Sequence, residues 1–486
     1  MSETVSAASA VTEEKPHKTL RWGDGVALAL GIPTGLFATM GYTIGAIGAW
    51  GAIAVWGAAA LIALLQNFLF AEMASMFPKK LGGIALYAHE GLRRYAAPLG
   101  AVATFGYWMG WSLTLGFVGE TIGTLVQGQW FAHDTGKVHL LGTTVGLAQG
   151  IAVATVVLAL LINLAGIKVA ASVNAVIGAM FAVVLLLLAV VPFIHGGWSS
   201  SNLTWHVGSW KIFLVWLYVA GWVAYGTELC ATFAPEYRNT VRDTSKALKF
   251  SSALALGFFL FVPLGVTGYV GENAIAANPV GYAIPAFNGL FNGGADIAAV
   301  IIIAAFFLLM ISSTADASRA LYGLAKDDMT IRQLGHLNRR GVPAVALCVD
   351  CVINVILVLF VSSPLGILLA SNLGYFLAIV LALAGFLLLR RDRPAWPRPI
   401  RVGRAAIPLC AALLVVNLVL LIVGVTNPSV AGYGGLKETL IGLSLLALSI
   451  VLLTFRRLVQ DRTGMRWREK VPDTPEDLVE GADAGA

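Results

Sequence analysis

The chain has 486 residues, of which 58% are hydrophobic and 12% charged, with a formal net charge of +6. Soluble domains carry about 25% charged residues, whereas here the apolar residues gather into blocks of about twenty that are nearly free of Lys, Arg, Asp and Glu; this excludes a water-soluble protein, a nucleic-acid binder and a disulfide-stapled scaffold. The basic residues sit in short segments between the apolar blocks, where they mark topology in a lipid bilayer and not a face for nucleic acid.

Residues 1–23 are polar and charged and lack the apolar stretch of a cleavable signal peptide. Apolar spans are then predicted near 25–48, 50–76, 96–130, 141–165, 169–194, 209–234, 247–270, 295–325, 342–362, 365–390, 405–426 and 436–456. Each is long enough to cross a bilayer with some tilt. A backbone in lipid satisfies itself only as a helix or a closed barrel, and these runs are too long and too uniformly apolar for barrel strands. The expected fold is therefore an all-α polytopic membrane protein with twelve transmembrane helices. Of the 32 Lys and Arg, only Lys137, Lys211 and Lys437 fall on the side opposite the termini, so the positive-inside rule places both termini in the cytoplasm. The predicted organisation is a cytoplasmic segment at 1–23, a core at 24–390, helices 11 and 12 with a preceding basic loop at 391–458, and a cytoplasmic tail at 459–486 whose polar end reads as disordered.

Two of the spans carry interruptions. In the first, Gly31-Ile32-Pro33-Thr34-Gly35 breaks the apolar run near mid-membrane, because Pro33 cannot donate to the helical ladder and the glycines tolerate non-helical dihedrals. A simple proline kink is the plainer reading of this stretch. The sixth span holds Gly221-Trp222-Val223-Ala224-Tyr225-Gly226-Thr227-Glu228, with a carboxylate inside apolar surroundings. Paired interruptions five spans apart point to an inverted repeat, helices 1–5 (about 24–195) matched by 6–10 (about 208–390), with two further helices at the C-terminus. A broken helix offers unpaired amides at one end, suited to a carboxylate, and unpaired carbonyls at the other, suited to an ammonium. Such groups must line a cavity within the protein, and a zwitterion fits it.

Cys230, Cys348, Cys351 and Cys410 lie in or beside apolar blocks and read as small hydrophobes. Cys348 and Cys351 have no second pair, and His89-Glu90 does not extend into a zinc-protease motif, so no metal or cofactor is expected.

Four motifs in order carry a family resemblance: Gly31-Ile32-Pro33-Thr34-Gly35-Leu36-Phe37; Ala71-Glu72-Met73 with Phe77-Pro78 and Gly82-Gly83; Trp222 with Gly226-Thr227-Glu228 and then Pro235-Glu236-Tyr237-Arg238-Asn239; and Ser318-Arg319-Ala320-Leu321-Tyr322-Gly323-Leu324-Ala325-Lys326-Asp327-Asp328 before Gly341-Val342-Pro343. Over about 25–390 the chain resembles the amino acid, polyamine and organocation (APC) superfamily of secondary transporters, which has a leucine-transporter-like fold. The resemblance implies a substrate site between Ile32, Pro33, Thr34, Gly35 and Leu36 on one side and Trp222, Tyr225 and Gly226 on the other. By likeness to the arginine and agmatine exchangers of that superfamily, Trp222 closes over substrate, while Glu228 and Tyr375 form a gate beneath it. Trp111 and Leu115 stand where those exchangers have small or polar residues, implying a smaller, more apolar pocket, and Thr314 replaces a bulky aromatic on another wall.

The chain also departs from the family. Pro33 replaces the first glycine of the family's Gly-Ser-Gly, removing one amide, so carboxylate recognition rests on Thr34, Gly35 and Leu36, and a substrate without a carboxylate stays open. The position of a coupling lysine found in some sodium-independent members falls near Phe181, which leaves the coupling ion open between a proton and sodium. Charged groups at mid-span cost at least about 2.5 kcal/mol. Glu72 and Asp350 are expected to cap helices or pair with loop Arg or Lys, and Asp316 to pair with Arg319 three residues on. Glu120 is either an ammonium or proton ligand or a hydrogen-bonded interior carboxyl. Glu228, beside a break and within a family motif, is expected to gate or couple. The implied function is a plasma-membrane secondary transporter for a small neutral amino acid, with a small organic amine or polyamine as the alternative. A membrane enzyme or receptor is disfavoured by the lack of a metal cluster, nucleophile elbow or soluble domain.

Overall fold

The computed structural model describes residues 18–80, 82–140, 142–360, 364–430 and 435–471. The predicted N-terminal segment up to 17, the first residue of the fourth span (141), the last two of the ninth (361 and 362) and the polar end of the tail lie outside these. The described chain is nearly all helical, and among the described residues nine helical stretches are long and apolar enough to cross a membrane, with Ala344–Phe360 a shorter apolar helix. The protein is thus a polytopic membrane protein.

The predicted spans and the helices differ in informative ways. The first two spans are joined. Helix Trp22–Ala29 ends at the Gly31-Ile32-Pro33 turn, and Thr34–Met76 then runs through the expected loop. A single non-helical residue, Gly48 at φ 74°, replaces that loop. A side chain there would lie 2.6 Å from the Thr204 carbonyl oxygen, while the Trp50 amide donates to that same oxygen at 3.0 Å. The third span is two helices, Pro98–Ser112 and Thr114–Trp130, meeting at Leu113. The sixth begins as Trp210–Ala224, capped by Ser209 Oγ accepting from the Ile212 amide at 3.3 Å, and tightens into a 3₁₀ helix over Tyr225–Ala231.

The all-α expectation is corrected at the start of the fourth predicted span and in the loops. Strands Lys137–Leu140 and Thr143–Gly146 form an antiparallel hairpin before the helix Leu147–Leu164. Helix Gly83–Ala96 occupies the loop after the second span, burying Ile84, Leu86, Tyr87 and Leu92 with Arg93 and Arg94 in its last turn, an amphipathic pattern too short to read as a span. Helices Glu272–Ala277 and Ala283–Phe291 fill the connection before Ala295–Lys326.

Packing brings the interrupted helices together. Thr34–Met76 lies along Thr240–Val270 and Trp210–Ala224, while Pro364–Asp392 lies along Pro98–Ser112 and Gly83–Ala96. Small residues allow that second approach: a Cβ on Gly106 would sit 2.5 Å from the Gly374 carbonyl oxygen, the close backbone contact that glycine permits between membrane helices. It seats Tyr375 beside Trp111. Helix Ile167–His195 exposes Val176, Met180, Val183, Leu186 and Val190, a face suited to lipid.

Candidate functional site

The first break is wound more tightly than its sequence predicts. The amides of Thr34, Gly35 and Leu36, expected to be free for a carboxylate, donate to the carbonyls of Gly31, Ile32 and Pro33, each at 3.1 Å. A carboxylate bound here would have to draw them away. The Thr34 hydroxyl donates to the Ala305 carbonyl at 3.3 Å. On the other side of the break, the Leu28 carbonyl accepts from Ser312 Oγ at 2.8 Å, and Ser312 Oγ accepts from Asn174 Nδ2 at 2.7 Å. Asn174 went unremarked in the sequence because its partner, Ser312, lies on the distant helix Ala295–Lys326. Phe181, one of the positions considered for coupling, packs edge-on against Phe37 with ring centroids 5.8 Å apart.

The two breaks fit each other through glycine. A Cβ on Gly35 would collide with Val223 Cγ2, and one on Gly226 would lie 3.0 Å from Ile32 Cδ1 and 3.1 Å from Trp111 Cη2. Between them is a buried cavity lined by Ile32, Gly110, Trp111, Thr114, Trp222, Val223, Leu309 and Tyr375. Its wall is chiefly apolar and aromatic. Trp222 Nε1 donates to Thr114 Oγ1 at 3.1 Å, and its ring meets Phe117 edge-on at 5.1 Å, so one turn of the helix Thr114–Trp130 holds the tryptophan at the cavity.

Glu228 lies behind the cavity wall, bonded to two of the lining residues. Its Oε1 accepts from Tyr375 OH at 2.8 Å and Trp111 Nε1 at 3.1 Å, while Oε2 accepts from Tyr107 OH at 3.0 Å. Three donors on one carboxylate, 1% exposed, meet the requirement that a buried charge be hydrogen-bonded. Neighbouring Thr227 is fixed by Asn67 Nδ2 donating to its Oγ1 at 2.9 Å.

Of the residues singled out from sequence, Ile32, Trp111, Trp222 and Tyr375 line this cavity and Glu228 bonds two of them. Pro33, Thr34, Gly35 and Leu36 lie behind Ile32 in the break, and Gly226 backs the wall. Tyr225 turns its ring to Phe376 at 5.3 Å. Thr314 is buried with its hydroxyl donating to the Met310 carbonyl at 2.7 Å, and Leu309 of the same helix reaches the cavity instead. Glu120 is buried on Thr114–Trp130, outside the lining set. Gly110, Thr114, Val223 and Leu309 were not singled out. Only Val223, inside the Trp222–Gly226 stretch, had a local signal.

The remaining carboxylates part company with expectation. Glu72 pairs with the basic loop as predicted, accepting from Arg390 Nε at 2.7 Å and from the Val402 amide at 2.8 Å. Asp350 instead accepts from Trp108 Nε1 at 3.0 Å. Arg319 does not pair with Asp316: it forms an ion pair with Glu236, and its Nη1 donates to the Ala315 carbonyl at 2.9 Å. Cys348 and Cys351 are free thiols.

A closed cavity at two helix interruptions inside a polytopic bundle is the arrangement of a membrane transporter. The chain matches the family model described as "Amino acid permease" over residues 20–451 and belongs to that family. It is 25% identical over 430 residues to the polyamine transporter PUT1 of Oryza sativa subsp. japonica, covering 85% of this chain and 73% of that protein. It is 24% identical over 382 residues to the histidine permease HisP of Lactococcus lactis subsp. cremoris (strain MG1363), covering 74% of this chain and 75% of that one. To the branched-chain amino acid permease BcaP of the same strain it is 22% identical over 360 residues, covering 68% and 72%. Membership of this family makes it a transporter that takes a small molecule across a membrane.

Proposed function

We propose that this permease is a secondary active transporter that carries a small neutral amino acid across the plasma membrane by alternating access, coupled to protons through Glu228. In this reading it has twelve transmembrane helices. The first ten form two inverted repeats at about 24–195 and 208–390, and both termini face the cytoplasm. The observation that carries the reading is the small, chiefly apolar cavity with a triply hydrogen-bonded carboxylate directly behind two of its wall residues, Trp111 and Tyr375. Substrate lies against Ile32 and the Pro33–Leu36 turn on one side and Trp222 to Gly226 on the other, with Trp111 limiting its size. Trp222 is the outer lid and Tyr375 with Glu228 the inner gate. Thr314 and Glu120 stand further out as residues that tune it.

A small organic amine is the second reading. It is favoured by the engaged amides of Thr34, Gly35 and Leu36, which leave the Glu228 carboxylate behind Trp111 and Tyr375 as the stronger recognition element. Uptake of radiolabelled alanine, leucine, histidine, lysine and putrescine into proteoliposomes, under imposed proton or sodium gradients, separates the two. The expected result is uptake of alanine or leucine, accelerated by an inward proton gradient. Uptake of putrescine alone would replace the first reading with the second.

A further inference from the structure

Asp316 is the buried acid that the function has not absorbed. It lies on Ala295–Lys326, is 0% exposed, and neither carboxyl oxygen has a hydrogen-bond partner among the described residues. The arginine expected to neutralise it is committed to Glu236. A fully buried carboxylate without partners is not sustained as an isolated charge; it holds a proton or exchanges one with a neighbour.

The neighbour is Glu228. Tyr107 and Thr232 interact with Asp316 without meeting the geometry of a hydrogen bond, and Asp316 and Glu228 interact electrostatically with each other. Tyr107 OH and Thr232 Oγ1 touch at 3.1 Å, and Tyr107 OH also reaches Glu228 Oε2 at 3.0 Å. The remaining titratable groups around the pair are Tyr87, Tyr375, Cys230 and Arg319.

We propose that Glu228 and Asp316 form a proton-sharing carboxyl pair joined through the Tyr107 hydroxyl, with Asp316 passing the proton between Glu228, behind the cavity wall, and the arginine-rich side of the membrane. The donor chemistry fixes the path. An indole N–H can only donate, so Trp111 makes Glu228 Oε1 an acceptor, and a proton on Glu228 resides on Oε2, the oxygen that faces Tyr107. In the transfer the Glu228 O–H bond breaks as the tyrosine oxygen takes its proton. Tyr107, whose hydroxyl donates to Glu228 Oε2 and makes no hydrogen bond to Asp316 in this structure, turns its O–H to the Asp316 carboxylate and gives up its own proton there. Glu228 is left anionic, Asp316 neutral and Tyr107 unchanged. Two carboxyls at close range do not both ionise, so one proton serves the pair. Beyond Asp316, three residues along the same helix, stands Arg319 with Glu236.

The inference rests on the reading of Glu228 as the coupling group, but its test needs no substrate. Infrared titration of the purified protein in nanodiscs should reveal a carboxylic acid C=O band in the wild type. Glu228→Gln or Asp316→Asn should each change the proton affinity of the remaining acid by at least about tenfold, the signature of interacting sites. Tyr107→Phe, which keeps both acids, should slow deuterium exchange of the carboxylic proton. Absence of the band from the wild type, or a titration of either acid that ignores the other, would overturn the pair. A coupled titration alongside uptake indifferent to a proton gradient would leave the pair standing and remove only the proton-coupled reading of transport.

Discussion

Trp111 Nε1 donates to Glu228 Oε1 at 3.1 Å, so the wall of the cavity and the acid beneath it are one hydrogen-bonded unit. The tryptophan stands on Pro98–Ser112 and the glutamate on the 3₁₀ stretch Tyr225–Ala231. Relative motion of these two elements must break the bond or carry both residues together. In the proposed function, substrate size and the state of the acid are thereby linked.

Trp111→Ala should broaden selectivity toward larger side chains and weaken the best small substrate by about 1–3 kcal/mol, the range for hydrophobic contact in an enclosed pocket. Trp111→Phe keeps an apolar wall but removes the donor, and should retain the size limit while altering the pH response. Competition by a series of unlabelled amino acids against labelled alanine or leucine uptake checks both; an unchanged profile in Trp111→Ala would place the indole outside the site.

The contact between the breaks gives a second prediction. Val223 Cγ2 occupies the space that a Cβ on Gly35 would need, so Gly35→Val must push the two breaks apart, at an overpacking cost of about 1–3 kcal/mol. Uptake should nearly vanish while membrane insertion and size-exclusion behaviour persist. Gly35→Ala combined with Val223→Ala should recover much of the uptake lost in Gly35→Ala alone, because residues in contact are not additive. Full additivity would deny the contact.

The spans were legible because twenty-residue apolar runs and loop arginines are local signals, and the two interruptions were legible through Pro33 and the Gly226-Thr227-Glu228 stretch. What local pattern did not convey was pairing across the bundle. The Asp316–Arg319 spacing promised an intrahelical pair, but Glu236 competes for Arg319 with better geometry from a distant part of the chain. Asn174 and Ser312 meet across 138 residues. The free amides expected after Pro33 are satisfied because a short 3₁₀-like turn closes over residues 31–36, a conformation that the Gly-Pro composition permits but does not dictate. The hairpin at 137–146 and the helix at 83–96 are too short to outweigh the spans around them.

The Arg319–Glu236 pair has side chains 3% and 4% exposed. Arg319→Met should strand the Glu236 carboxylate and destabilise the protein by about 3–5 kcal/mol, whereas the double change to Arg319→Met with Glu236→Leu should cost far less, since replacing a buried pair by apolar groups is often near neutral. Thermal unfolding in detergent checks this; equal losses in the single and double variants would mean that the charges are not the reason.

His89, on the helix Gly83–Ala96 between membrane spans, is 2% exposed. Burial pushes its imidazole down from the ordinary 6.5 to about 3, partly opposed by Glu90. For Glu90 burial acts upward, but Lys80, His89, Arg93 and Arg393 outweigh it and hold the carboxyl well below its usual range. Both groups bind fewer protons folded than unfolded as the pH falls, His89 from about 6.5 downward and Glu90 from about 4.5 downward, so stability must decline with acidification. At pH 5 the His89 contribution to that decline is at most about 2 kcal/mol. His89→Gln should flatten the thermal stability profile between pH 6.5 and 5 and leave the steeper loss below pH 4.5. An unaltered profile would show that this imidazole does not titrate on unfolding.

Whether Glu228 couples transport to protons is decided by uptake into proteoliposomes containing wild type or Glu228→Gln, with and without an inward proton gradient. The glutamine keeps the shape and acceptor oxygen of the side chain while fixing it neutral. Wild-type uptake of labelled alanine or leucine should rise with the gradient, and Glu228→Gln should retain binding and exchange but lose that rise. A variant that still responds to the gradient, or a wild type that ignores it and answers to sodium, would contradict coupling through this acid.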